Sequence, residues 1–170
     1  MRFWTLSENE RAHFGHSHAL EITSDDLTVT TAATGQTLTP SPGISFAIGD
    51  YVDRVTWYLA TPFKNSADAA SVTTTFSVGD SVGGVATLMV ATQANENGTE
   101  ILNQTCVPHV GTAATPVTGF TAATNLVITV GAPTALKTLN DINTGVLYIF
   151  LNVKRCLSMV STFSPGPRLK

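Results

Sequence analysis

At 170 residues the chain has room for one domain with a sizeable core, not for a second. Only 12% of it is charged, against 43% hydrophobic, and the net charge is −3 with histidine neutral; ordinary soluble domains carry about 25% charged residues. No lysine or arginine occurs between Lys64 and Lys137, which excludes from that stretch the concentrated basic patch that nucleic-acid binding requires.

Thr, Ser, Ala and Gly fill the charge deficit, which suits a surface partly covered by neighbours. Residues 1–17 read as an arm. Phe3, Trp4, Leu6 and Phe14 stand there among charges and histidines, and Ser7 with Glu10 three residues on predicts a helical turn in SENERAHF. Such apolar side chains are costly to leave in water, so these four are expected to carry arm-to-body or intersubunit contacts.

From Ala19 the pattern changes to period two. LEITSDDLTVTTA predicts one or two strands broken at Ser24-Asp25-Asp26, and Gly35 with Pro40-Ser41-Pro42-Gly43 marks a loop. Ile44, Phe46 and Ile48 alternate as a half-buried strand. Val55, Trp57 and Leu59 alternate again, up to Pro62. Val72, Thr74, Phe76 and Val78 give another strand, VATLMVAT the next, and Asn95-Glu96-Asn97-Gly98 a tight turn. Ile101 to Val110 reads as extended, 111–119 as a loop, and Leu126, Ile128 and Val130 as a strand. Pro133 to Asn143 is a loop or helical turn. GVLYIFLNV, apolar but for Asn152, predicts a central strand buried on both faces. The whole predicts an all-β, jelly-roll-like antiparallel β-sandwich over residues 18–156, preceded by the 1–17 arm and followed by a basic tail over 157–170.

No apolar h-region is visible at the N-terminus, and no apolar run approaches the ~20 residues of a membrane helix. The sequons at Asn97 and Asn103 therefore read as chance matches. Lys154, Arg155, Arg168 and Lys170 close the chain with no acid after Asp141. They read as a solvated tail, or alternatively as one that docks on an acidic partner. Cys106 and Cys156 allow one disulfide without requiring it, and free thiols are the expectation in a reducing cytosol.

DYVDRVTWYLATPF, SADAASVTTTFSVGD, ATQANENGTEIL and TGVLYIFLNV, in that order, resemble segments of small virion proteins of tailed bacteriophages, of the jelly-roll decoration or cement type. The resemblance spans roughly residues 44–153. It rests on aromatic strands, a VGD turn and an Asn-Gly hairpin. It implies a protein made in the host cytoplasm and bound to the capsid surface of the virion. There it would form a homotrimer and reinforce contacts between major capsid protein subunits. It implies no cofactor and supplies no catalytic residues.

The remaining residues offer little chemistry. His13, His16 and His18 form H-x-x-H-x-H, and on an extended segment His16 and His18 would share a side, with Glu21 the best further metal ligand. Without a formed pocket they read as polar arm residues, and no metal site is assigned. Asp25-Asp26, Asp50 with Asp53, and Asn95-Glu96-Asn97 with Glu100 could offer oxygens to calcium, but at turns such side chains ordinarily bond their own backbone. Cys106 and His109 are close in sequence only. No nucleophile motif or phosphate loop is present, and the chain reads as a non-enzyme. The alternative is a carbohydrate-binding β-sandwich module of a phage fibre or host-recognition protein, with Tyr51 or Tyr58 as an exposed platform beside Asp53. Trp57 points opposite to Tyr58 and is expected in the core.

Overall fold

Alternating side chains give ten strands among the described residues: β1 (Arg2–Thr5), β2 (His18–Thr23), β3 (Gln36–Leu38), β4 (Ser45–Phe46), β5 (Tyr51–Lys64), β6 (Thr75–Asp80), β7 (Gly84–Gln93), β8 (Gln104–Cys106), β9 (Thr124–Val130) and β10 (Thr144–Lys154). One helix, α1 (Glu8–Phe14), lies between β1 and β2. This computed structural model describes residues 1–41, 43–67, 74–82, 84–94, 104–106, 120, 122–134 and 136–154. The expected Asn95–Gly98 turn, the 111–119 loop, Cys156 and the 157–170 tail lie outside them.

The strands pair antiparallel in two sheets, ordered β1-β2-β10-β5-β8 and β3-β9-β6-β7, with β4 also on β9. Setting aside β1 and β4, the orders 2-10-5-8 and 3-9-6-7 are those of a jelly roll, two Greek keys wrapped into a sandwich. The sheets close on Trp57, Phe63, Phe76, Leu126, Ile128, Leu147, Ile149 and Leu151, all fully buried. The Phe63 and Phe76 rings meet across the two sheets at 4.8 Å.

The arm is part of this architecture. β1 pairs with β2 from Arg2 opposite Glu21 to Thr5 opposite His18, so the arm becomes the edge strand of the first sheet. The expected helical turn forms with a full capping box: the Ser7 amide donates to Glu10 Oε2 at 2.8 Å, and the Glu10 amide donates to Ser7 Oγ at 3.4 Å.

Four expectations change in detail. β5 runs through Pro62 to Lys64. Its pairing with β10 shifts register between Thr144 and Leu147, and such an irregularity tolerates a residue without an N–H. β10 is central, but only its inward residues are buried; Val146, Tyr148, Phe150 and Asn152 are half-buried on the opposite face. Ile48 sits in a turn and is 69% exposed, where alternation had placed it beside Ile44 and Phe46. Finally, β3 forms where a loop was expected, because Gln36, Thr37 and Leu38 find partners on the distant β9.

Gly145 sits within that irregularity at φ +151, and an added Cβ would run into the Phe63 ring. Gly145→Ala is expected to lower stability by about 1–3 kcal/mol. Urea denaturation checks this, with a lowered midpoint and unchanged slope as the expected outcome.

Candidate binding face

Strand register decides which side chains share the outer face of the first sheet. Residues opposite each other in an antiparallel pair project to the same side. One row therefore runs Arg2, Glu21, Tyr148, Tyr58, and the next runs Trp4, Ala19, Phe150, Thr56. Leu20, Ile149 and Trp57, one residue along, form the inward row between them.

The outer face is thus aromatic. The Tyr58 and Tyr148 rings lie 6.4 Å apart at 15°, and the Tyr148 and Phe150 rings 6.5 Å apart at 25°. Tyr58 is 41% exposed and Trp4 36%. Tyr58 is therefore at the surface, as the platform reading required, and Trp57 is in the core. Tyr51, the other platform candidate, is half-buried opposite Lys154. Tyr148 and Phe150 were missed in the sequence because GVLYIFLNV looks apolar on both sides. The available signal was Asn152, which shares their face and is out of place in a doubly buried strand.

His16 borders this face. Its Nε2 is 3.1 Å from Thr56 Oγ1, and its ring is 5.7 Å from Phe150. His18 faces the other way, opposite the buried Leu151, and stacks on Phe3 at 5.5 Å. The two histidines expected on one side are divided between the two faces of the sheet, because His18 begins β2 while His16 precedes it. Ser17, between them, donates its amide to the Leu151 carbonyl at 2.8 Å and accepts the Val153 amide on Oγ at 2.8 Å. No group of three metal-ligating side chains occurs among the described residues.

The four arm residues have separate placements. Leu6 is buried, Phe3 packs against the core, and Trp4 is on the outer aromatic face. Phe14 ends α1, and its side chain lies outside the described set. Arg11 Nε donates to the Leu6 carbonyl at 2.7 Å, and the Met1 ammonium pairs with Asp26, which further ties the arm down.

The acidic turns use their carboxylates on their own backbone. Asp26 accepts the Thr23 amide at 2.8 Å, Asp50 the Ala47 amide at 3.0 Å, Asp80 the Val82 amide at 3.0 Å, and Asp141 the Thr138 amide at 2.8 Å. Asp80, nearly fully buried, also accepts the Thr124 hydroxyl at 2.9 Å. The Ser7 amide, then its hydroxyl, hold the Glu10 carboxyl below its ordinary value, and the Thr138 amide and hydroxyl do the same for Asp141.

Comparison with protein-family models, with curated proteins and with solved structures finds no match for this chain.

Both lowered carboxyls are more acidic folded than unfolded. Their contribution is whole above the ordinary carboxylate range and is lost as pH falls through the lowered values. The melting temperature is expected to drop on acidification below about pH 4. A Glu10→Gln/Asp141→Asn variant should be less stable at neutral pH and should lose less on acidification, as followed by circular dichroism. In a separate test, Leu6→Ala should cost about 2–5 kcal/mol in urea if the arm is packed as described.

Proposed function

We propose that this chain is a non-enzymatic structural protein of a bacteriophage particle. In this reading it is a head decoration or cement protein that binds the outside of the capsid as a homotrimer and reinforces contacts between major capsid subunits. The observation that carries the reading is the use of the ionisable groups. Carboxylates at five turns and caps are bound to their own backbone amides, so they fix loops of a rigid jelly roll. Such an architecture suits scaffolding, and the sequence resemblance points to the same class.

One end of the sandwich fits the docking role. Ile48 lies in the turn between β4 and β5, and Val82 in the turn between β6 and β7, 69% and 65% exposed. β4 and β6 flank β9, with Phe46 opposite Thr124, and the Ser81 amide donates to the Asn125 carbonyl at 2.9 Å. Two branched apolar side chains therefore project from neighbouring turns at the same end, where association would remove both from water. Full burial of such a side chain is worth about 1.5–3 kcal/mol.

The test is cryo-electron microscopy of purified particles carrying the chain. Density for the jelly roll on the outer capsid surface, lost in Ile48→Asp/Val82→Asp while the isolated variant melts normally, is the expected result. Particles lacking the chain altogether would refute the virion reading. Full occupancy of the variant would refute the docking end. Light scattering of the isolated protein should give three times the 17.9 kDa chain mass.

A further inference from the structure

We propose that the outer face of the β1-β2-β10-β5 sheet binds an acidic polysaccharide, with its aromatic rings stacking on sugar rings and its cations meeting the sugar carboxylates. This goes beyond the virion reading and does not depend on it, because the face is not the end that carries Ile48 and Val82.

The first argument is shape. Tyr58, Tyr148 and Phe150 form a contiguous set of nearly parallel rings, with successive centroids 6.4 and 6.5 Å apart, that runs across from β5 to β10 and then turns along β10. Trp4 lies in the same row as Phe150, two strands over, with only the side chain of Ala19 between them in register. Aromatic rings combine an apolar body with, in Tyr and Trp, a polar tip. A pyranose has the matching form, with an apolar C–H face and hydroxyls around its edge. Flanking positions can serve those hydroxyls: Thr56 and Asn152, beside Phe150, are partly exposed on the same face.

The second argument is charge. The chain as a whole is acidic, with 12 acids against 9 bases. Yet Arg2, Arg54 and Lys154 all project from this outer face and are exposed, while the acids among them are Glu21, in register, and the half-buried Asp53, in the register shift beside Arg54. Arg2 shares a row with Tyr148 and Tyr58, and Arg54 stands opposite Asn152, two residues along β10 from Phe150. Rings flanked by guanidinium groups complement a chain of sugar rings that carry carboxylates, since arginine pairs with carboxylate through two parallel hydrogen bonds. A neutral glycan would leave this local excess of positive charge unused.

The third argument separates a sugar from two other occupants. A protein partner would be expected to close over a central, desolvated anchor; here Tyr58 is 41% exposed, and the Thr56 hydroxyl and the Asn152 amide flank the rings. Single-stranded nucleic acid also stacks on aromatic rings over a cationic groove. It carries one phosphate per nucleotide, however, and the three cations are set apart on β1, β5 and β10 rather than along one track.

The experiment is calorimetric titration of the full chain with polygalacturonate, hyaluronan and polysialate, with dextran as the neutral control and oligo(dT) as the nucleic-acid control, each at low and high salt. Saturable binding to at least one acidic polysaccharide, weakened by salt and absent for dextran, is expected. Tyr58→Ala and Arg54→Glu should each weaken it about tenfold, equivalent to about 1.4 kcal/mol, with circular dichroism spectra unchanged. Trp4→Ala, at the edge strand, provides a second aromatic variant if Tyr58→Ala misfolds. No binding to any of the three acidic polysaccharides would overturn the proposal, as would equal binding to dextran or tighter binding to oligo(dT). Binding that none of the variants alters would overturn its placement on this face.

Discussion

The last described strand is inserted between two early ones, and the rest of the described structure depends on that insertion. β10 pairs with β2 on one side and β5 on the other. Removing it would split the first sheet into β1-β2 and β5-β8, neither with enough strands to stand alone. Its inward residues Leu147, Ile149 and Leu151 have no exposure and fill the middle of the core. Its outward residues Tyr148 and Phe150 join the two aromatic rows of the outer face. The same period-two alternation therefore supplies core on one side and a candidate binding surface on the other.

This arrangement makes folding non-local. His18 must meet Leu151, and Tyr58 must meet Tyr148, before the first sheet exists. Such pairings cost loop-closure entropy before any burial offsets it. Local devices reduce the number of open choices. Capping at Ser7–Glu10, Thr23–Asp26 and Thr138–Asp141 fixes the chain direction at three corners. Ser17 bonds both Leu151 and Val153 and so sets the register of β2 on β10.

The two outer faces of the sandwich differ in chemistry. On the second sheet, Thr37, Thr129 and the buried Ser77 lie in one outward row, and the two threonines keep strand propensity without presenting aromatic surface. On the first sheet the corresponding positions are rings and cations.

Much of the strand content was legible because burial on one side imposes alternation: Val55, Trp57 and Leu59, and Leu126, Ile128 and Val130, are inward as the pattern implies. The Ser7–Glu10 cap was legible because its chemistry is local. What escaped depends on distant partners. β3 is a strand only because β9 lies beside it, and Ile48 is exposed because Gly49, at φ +88, turns the chain there. That Tyr148 and Phe150 are half-buried on an outer face, with His16 packed against Phe150, could not be read without the register of β10 on β5 and β2. The measurement that tests this account most directly is amide hydrogen exchange by NMR. Amides from Leu147 to Val153 should exchange slowest and only through global unfolding, with cross-strand contacts from Ile149 to both Leu20 and Trp57. Fast, independent exchange of that strand, or contacts placing it at a sheet edge, would contradict it.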